Sequence, residues 1–424
     1  MKTRPSHSFS PRGIALILVM VVIFALSVLV AAFAYSMSVE MRLAQITDYD
    51  VELEWMGRSG IELARFALIN KCQEQRDIDA LNQFWAGGNA PCSNNNPQLE
   101  AYAHGDGYAF KDFPLGNGRI SVKITDMERK FDINGPNNQR GPQLDVLQRA
   151  LIECGVTDPS QSSKITDSIL DWVSRAPGSH MNGAKSEYYN QMIPPYNCKE
   201  GPIEDMSELL RIQGVTPEIY WGSYSTNHPP AAYQQQGFNH TPHATKSRFA
   251  NEADKDVPNP VGLVELFSPF GARLNINTAS AKTLQLLPGI DANTAERIVE
   301  QRAGPDGIDG TEDDVPFHSV QELNSGLPGG GVPPGGMPPG GVPPGGMPPG
   351  GVPPPGAMPG GIPGAPQAGI AAGGLAVYCD VRSYVFEVRV EAEINAVKRT
   401  FVGIVSRSGQ NAGQFQCVRF YWED

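Results

Sequence analysis

The densest chemistry in this sequence is carboxylate. In GPDGIDGTEDDVPF, residues 304–317, Asp306, Asp309, Glu312, Asp313 and Asp314 sit on a glycine-rich stretch that can bend around an ion. Hard cations such as Ca²⁺ take six to eight oxygen ligands, and carboxylates packed this closely repel one another without one. The spacing departs from the EF-hand pattern. Calcium is the expected ion, and a solvated acidic loop is the competing reading.

Other reactive groups do not assemble into an enzyme signature. The sequence contains no HExxH, GxSxG, phosphate-binding P-loop or CxxC motif. Its seven histidines are dispersed; only His240 and His243, in NHTPH, are close enough to suggest a transition metal, and they read as polar loop residues. The six cysteines (Cys72, Cys92, Cys154, Cys198, Cys379 and Cys417) are even in number and scattered. They are compatible with disulfides in an oxidising compartment. Pairing neighbours as Cys72–Cys92, Cys154–Cys198 and Cys379–Cys417 is one of 15 full connectivities, with buried thiols as the alternative for each pair.

Three segments recur in the middle of the chain: ALIECGVTDPS (150–160), LLRIQGVTPEIY (209–220) and LQLLPGIDANTAERI (284–298). Each ends an apolar-periodic helix with a glycine, then an aliphatic residue, then Thr or Asp. Gly155, Gly214 and Gly289 suit the left-handed residue that closes a helix. Val156, Val215 and Ile290 are expected to tuck inward. Thr157, Thr216 and Asp291 are expected to cap the next helix, with Pro217 in its first turn. The third segment matches the helix-hairpin-helix pattern. Such hairpins can hold a nucleic-acid phosphate on backbone N–H groups. Between Arg273 and Arg302, however, four basic residues face three acidic ones, and the whole chain carries a net charge of −12. That balance opposes phosphate binding, so protein contact is the expected role.

The elements that position these groups begin with a long helix. Ile14 to Ala34 carries neither charge nor proline, and at about 1.5 Å per residue it spans a hydrocarbon core of roughly 30 Å. Apolar spacing continues through Leu43, Ile46, Leu53, Met56, Ala64 and Leu68, and no proline falls between Pro11 and Pro91. One helix over residues 14–71, roughly 85 Å long, is expected, apolar first and amphipathic after. Gly57 and Gly60 weaken its middle by about 1 kcal/mol each relative to Ala. Lys2, Arg4 and Arg12 precede the span without an acid, which places the N-terminus in the cytoplasm and the bulk of the chain across the membrane. Residues 384–407 alternate as two strands, with Phe386, Val388, Val390 and Ala392 on one face. Residues 222–259 read as an inserted polar loop. The GGVPPGGMPP repeat over 326–365 reads as an extended linker.

The stretch PRG|IALIL, residues 11–18, resembles the type IV prepilin class. That resemblance implies cleavage between Gly13 and Ile14 with the helix retained. Members of the class normally carry Glu at the fifth mature position; here Leu18 stands there. The member lacking this Glu is the K-type minor pseudopilin of type II secretion systems (the general secretion pathway protein K family). The resemblance extends through ISVKITDMERKFDINGP (120–136), ITDSILDWV (165–173), GAKSEYYNQMIPPYNCKEGPIEDMSELLRIQGVTPEIY (183–220) and LFSPFGARLNINTAS (266–280).

The resemblance implies an α+β fold. A long transmembrane and amphipathic helix joins a pilin-like antiparallel sheet interrupted by a large helical domain with SAM-like, helix-hairpin-helix modules. The expected boundaries are a leader at 1–13, a transmembrane helix at 14–34, its amphipathic extension at 35–71 and the first pilin-like segment at 72–130. The helical insertion follows at 131–325, with modules at about 131–221 and 260–325. The Pro/Gly linker at 326–372 then leads to the second pilin-like segment at 373–424. The resemblance also implies a structural, non-enzymatic role at the pseudopilus tip in the inner membrane, facing the periplasm. Its implied partners are the I- and J-type minor pseudopilins, the other pseudopilins and the inner-membrane secretion platform. Exoproteins and the secretin are further contacts. Calcium at the acidic loop agrees with the family's ion binding. Relatives carry further aspartates after DW, whereas DWVSRAPGSH (171–180) keeps only Asp171. That weakens the case for a second ion there, to which Glu187 would contribute. The rival function is a membrane-tethered periplasmic DNA-binding protein using the hairpin.

Overall fold

The computed structural model describes residues 12–71, 75–88, 107–135, 142–222, 261–326, 374–408 and 414–423. Most of the expected leader, Cys72, Cys92, His240, His243, all but the first residue of the polar loop over 222–259 and all but the first residue of the Pro/Gly repeat over 326–365 lie outside the described residues.

Helix α1 runs unbroken over Arg12–Ile69, 58 residues. Its first half is open among the described residues: an apolar window long enough to cross a membrane is 0% buried. From Leu53 onward one face is buried, with Leu53, Met56, Ile61, Ala64 and Leu68 each at most 4% exposed. The amphipathic half therefore begins where a partner surface becomes available. That surface is a five-stranded antiparallel sheet. Its strands, in order across it, are β1 (Phe110–Leu115), β2 (Gly118–Asp126), β7 (Val385–Ile394), β8 (Val397–Arg407) and β9 (Phe415–Glu423). Alternation selects the buried face: Phe386, Val388, Val390 and Ala392 are all at most 1% exposed. The register pairs Val122 with Val390 and Val390 with Phe401, which puts one apolar row across three strands. β9 adds a strand that the sequence reading did not anticipate.

Gly57 and Gly60 are the points of closest approach between α1 and the sheet. A Cβ at Gly57 would lie 2.6 Å from the Phe401 ring, and one at Gly60 would lie 2.5 Å from Val390 Cγ1. The helix gives up some local propensity there and gains packing against the sheet in return.

The helical domain is inserted between β2 and β7. It comprises β3 (Phe131–Asp132), α2 (Pro142–Glu153), α3 (Pro159–Val173), α4 (Ser186–Tyr189), α5 (Pro217–Trp221) and α6 (Leu263–Leu266), followed by β4 (Phe267–Ser268), β5 (Leu274–Asn275), α7 (Ala281–Leu284), α8 (Ala292–Arg302) and α9 (Val320–Gly326). Its core is separate from that of the sheet and is built from residues such as Leu147, Ile165, Trp172, Leu209, Leu266, Leu287 and Phe317. β6 (Cys379–Asp380) pairs in parallel with β5, and Leu375 and Cys379 lie in the helical core. The chain thus finishes the helical domain before it re-enters the sheet at Val385, later than the expected boundary at 373.

The three turns adopt the expected backbone. Gly155, Gly214 and Gly289 have φ of +87°, +86° and +78°, and Val156, Val215 and Ile290 are buried. At the first turn, Gly155 N–H donates to Ile152 O and Val156 N–H to Leu151 O, both at 2.9 Å, which completes a Schellman closure. Two details differ from expectation. Asp158, rather than Thr157, caps α3, its carboxylate accepting from Ser160 N–H. The segment before Gly214 is a 3-10 helix, Met206–Arg211, closed at its start by an Asp205/Glu208 capping box. Thr216 and Asp291 cap α5 and α8 as expected.

Candidate functional site

The two domains meet at a buried polar joint. Asp126, at the end of β2, is 2% exposed. It accepts from Thr278 Oγ1 at 2.5 Å, Ser383 Oγ at 2.6 Å, Glu128 N at 2.8 Å and Asn275 Nδ2 at 3.2 Å. Asn275 Nδ2 also donates to Asp79 O at 2.9 Å and to Ser383 Oγ at 2.7 Å. The Asp79 carboxylate, wholly buried, holds Lys71 Nζ, Arg407 Nη2 at 3.1 Å and Ser383 N–H at 3.0 Å. Five separate stretches of chain therefore converge here: the link after α1, the end of β2, the 275–278 segment, the lead into β7 and the end of β8. Every one is tied to another by a charged or amide side chain, a geometry that fixes one domain's orientation on the other.

Burial sets the electrostatics of this joint. Desolvation raises the Asp126 carboxyl pKa against the hydrogen bonds of Ser383 and Thr278. It pushes Glu128 up to about 8, with the nearby Asp126 charge adding to it. Glu128 Oε2 accepts from Tyr384 N–H at 2.9 Å, while its buried Oε1 has no hydrogen-bond partner. Burial lowers Lys130 to about 8 and Lys71 well below its ordinary value, the latter helped by Arg407.

The stretch that follows β2, as far as Asn134, supplies a second tie. Asn134 Nδ2 donates to Ile203 O and to Pro269 O, each at 2.9 Å, and its Oδ1 accepts from Ile203 N–H at 2.7 Å. One side chain thereby joins the two modules of the helical domain.

The acidic loop does not place its five carboxylates around one centre. Asp309 turns inward and pairs bidentately with Arg302, at 2.9 and 2.8 Å, both side chains at most 4% exposed. Arg302 Nη1 also donates to Ile276 O and Ala279 O. Glu312 is exposed. Asp314 accepts from Gly310 and Thr311 N–H, Asp313 from Thr311 Oγ1 and Asp306 N–H, and Asp306 from Ile308 N–H. Desolvation pushes Asp314 up to about 6, with the Asp309 charge contributing. Among the described residues, no group of three His, Cys, Asp or Glu side chains is placed to hold a metal ion. The five residues thus do not fit a five-carboxylate cation site as arranged.

The loop after Trp172 is tied by two aspartates. Asp171, fully buried, accepts from His180 N–H at 3.1 Å and meets His180 Nδ1 at 2.6 Å. Asp167 accepts from Asn182 N–H and Nδ2, both at 3.2 Å.

The expected Cys154–Cys198 and Cys379–Cys417 disulfides are not formed; all four residues are thiols. Cys379 belongs to the helical core, whereas Cys417 packs on the sheet core, so the two sit in different domains. Cys198 Sγ instead donates to Asp171 O at 3.4 Å. Burial pushes the Cys154 thiol up to about 12.

At the hairpin, Arg273 pairs with Asp380, Lys282 with Glu265 and Arg302 with Asp309. Asp291 carries its carboxylate at the N-terminus of α8, where a phosphate would otherwise approach. Gly13 and Ile14 fall within the backbone of α1, and Leu18 is 62% exposed on it.

Comparison with known proteins follows the same division of the chain. Residues 129–221 match the family model of type II secretion system (T2SS) protein K, and residues 271–325 match that of the helix-hairpin-helix motif. The chain is similar to type II secretion system protein K of Klebsiella pneumoniae, 24% identical over 217 residues, which cover 49% of this chain and 60% of the relative. It is also similar to the protein of that name from Aeromonas hydrophila, 20% identical over 220 residues, with coverage of 49% and 60%. The chain spans about 60% of the length of these curated relatives. Among solved structures, the crystal structure of the GspK–GspI–GspJ complex from enterotoxigenic Escherichia coli shares the fold, with a TM-score of 0.52, 16% identity, and coverage of 90% of this chain and 99% of that one. The protein K family model thus falls within the helical domain, and the fold likeness to a chain of that complex covers 90% of this chain.

Proposed function

We propose that this chain is the K-type minor pseudopilin of a type II secretion system. The observation that carries the reading is topological. A domain matching protein K is inserted between the second and third strands of a sheet, and that sheet is packed on a helix long and apolar enough to cross a membrane. In this reading the helix anchors the chain in the inner membrane with its N-terminus in the cytoplasm. The leader is removed after Gly13, and the helix packs with those of the I- and J-type minor pseudopilins. Leu18 offers no carboxylate for docking onto a subunit ahead. The helical domain, braced through Asp126, Asn275 and Asp79, crowns the sheet. A subunit of this form starts or caps the pseudopilus, faces exoproteins and the secretin, and supports export of folded proteins as a structural component rather than an enzyme.

Calcium enters the proposal in a reduced form. Asp309 stays with Arg302; Asp306, Asp313 and Asp314, which as arranged form no three-carboxylate site, would have to turn from their loop N–H and hydroxyl donors to hold the ion. Its contribution would be to neutralise the loop and stiffen it.

The N-terminal mass of the protein isolated from membranes tests the function. A mature chain beginning at Ile14 is expected. A chain that begins at Met1, or one cut near Ala34, would remove the pseudopilin reading. A second reading, nucleic-acid binding, has the helix-hairpin-helix match in its favour and the paired basic residues against it. Salt-sensitive affinity for duplex DNA would support it.

A further inference from the structure

The foot of α1 holds a lysine and an aspartate shut away from water. Lys71 follows the last turn of α1, and its side chain is 5% exposed; the Asp79 side chain is fully buried. Lys71 Nζ touches Asp79 Oδ1 and donates to Ile78 O at 3.1 Å. By contrast, Lys199–Glu208 and Lys282–Glu265 each keep one side chain 30% exposed or more. An amine and a carboxyl group in contact and shielded from solvent are the two halves of an amide.

The surroundings favour condensation of this pair. Asp79 is fixed on both sides of its peptide unit: its N–H donates to Val381 O and its O accepts from Asn275 Nδ2, each at 2.9 Å. Lys71 is carried by the end of a helix packed on the sheet, so the two groups are held in register for attack. Burial, helped by the Arg407 and Arg382 charges, lowers the Lys71 pKa well below its ordinary value. That eases transfer of an ammonium proton to the carboxylate and frees the amine lone pair. The two carboxylate oxygens differ. Oδ2 accepts from Ser383 N–H at 3.0 Å and from Arg407 Nη2 at 3.1 Å, two donors placed to hold the negative charge of a tetrahedral adduct. Oδ1 lies against Lys71 Nζ, where it can take up protons and leave as water. The ion pair bears the desolvation cost of two charges, whereas the amide bears none. The closed site keeps water from reversing the step.

We propose that Lys71 and Asp79 are joined by an intramolecular amide bond from Lys71 Nζ to Asp79 Cγ. The Nζ–Cγ bond forms and the Cγ–Oδ1 bond breaks. Two of the three ammonium protons leave with Oδ1 as one molecule of water, and no oxidant, reductant or co-reactant takes part. One positive and one negative charge vanish together, so the net charge of the joint is unchanged. The bond clips the end of α1 to the segment that Asn275, Ser383 and Arg407 hold, and α1 can no longer peel away from the joint between the domains. The bond does not depend on the pseudopilin reading.

The test uses the full-length chain purified from membranes, reduced, alkylated and digested with trypsin. An amide at Lys71 blocks cleavage there, while Arg76 is still cut. The expected product is therefore a branched peptide: residues 66–76 joined to the peptide that begins at Asp77, lighter by one water than the two together. Fragment spectra are expected to place the link between Lys71 and Asp79. Lys71→Arg, which keeps the charge but offers no amine nucleophile, and Asp79→Ala are each expected to give only unlinked peptides. Complete cleavage after Lys71 in the wild-type chain, or the same branched mass in Lys71→Arg, overturns the inference. The N-terminal peptide of the same digest reports separately on the pseudopilin reading, so the two can fail independently.

Discussion

Arg302 grips Asp309 through two parallel N–H···O bonds of 2.9 and 2.8 Å, with neither side chain open to water. The remaining guanidinium nitrogen reaches the carbonyls of Ile276 and Ala279, so the acidic loop is fastened to the segment that carries Asn275. Removing one partner of a buried pair strands the other's charge, which costs about 3–5 kcal/mol. Asp309→Ala is therefore expected to lower stability by about that amount in urea unfolding, with calcium or EDTA alike. Asp313→Ala is expected to leave stability in EDTA within about 0.5 kcal/mol and to abolish any rise in melting temperature on adding calcium. Equal calcium responses in Asp313→Ala and wild type would remove the cation from the loop.

The joint predicts a pH dependence with a definite sign. The folded-state pKa of Glu128 is raised from 4.5 to about 8. Between those values the unfolded chain has released a proton that the folded chain still holds, so stability falls as pH rises through this window, by about 1.4 kcal/mol per pH unit at most. Lys130, lowered from 10.5 to about 8, acts in the opposite direction. Between pH 8 and 10.5 the unfolded chain binds the extra proton, and stability recovers. A minimum near pH 8 is expected in urea midpoints measured from pH 5 to 10. Glu128→Gln is expected to flatten the acid-side slope; an unchanged slope would assign it to another group.

Gly60 lies where α1 meets Val390. Gly60→Ala would gain about 1 kcal/mol of helix propensity, but its Cβ would fall 2.5 Å from Val390 Cγ1. Overpacking of this kind costs about 1–3 kcal/mol. A net loss is expected, and the double variant Gly60→Ala/Val390→Ala is expected to recover some of it. Equal stability of wild type and the single variant would mean that the helix can shift off the sheet freely.

The hairpin's paired cations predict no useful grip on nucleic acid. Titration of the soluble domain with duplex DNA at 50 mM salt is expected to give no saturable binding. A log–log salt slope of several units would instead reveal phosphate contacts that these ion pairs do not suggest.

Much of the fold is legible in the sequence because it depends on local pattern. The apolar run and the lack of proline define α1, alternation at Phe386–Ala392 defines β7, and Gly155, Gly214 and Gly289 stand at helix closures because few other residues tolerate positive φ. What escaped the reading depends on distant partners. Gly57 and Gly60 look like weak points until Phe401 and Val390 are seen against them. Asp309 looks like an ion ligand until Arg302, in the preceding helix, arrives with two donors. Asn275 and Thr278 stand inside a recognised motif, but their role as a joint appears only when Asp126 and Ser383, more than a hundred residues away in either direction, close on them. The pairing of Cys379 with Cys417 failed for the same reason: they are close in sequence but belong to different cores.

The insertion between β2 and β7 also governs the order in which the molecule can fold. The hairpins β1–β2 and β7–β8 close over short turns, whereas β2 and β7 are separated by a stretch of roughly 260 residues whose ends must be brought together. Only a folded helical domain holds those ends side by side, with Asp126 and Ser383 already in contact. Completion of the sheet thus reports that the insertion is correctly built. A chain with a damaged helical domain would present a loose β1–β2 hairpin and a separate β7–β8–β9 unit, with no continuous surface for α1.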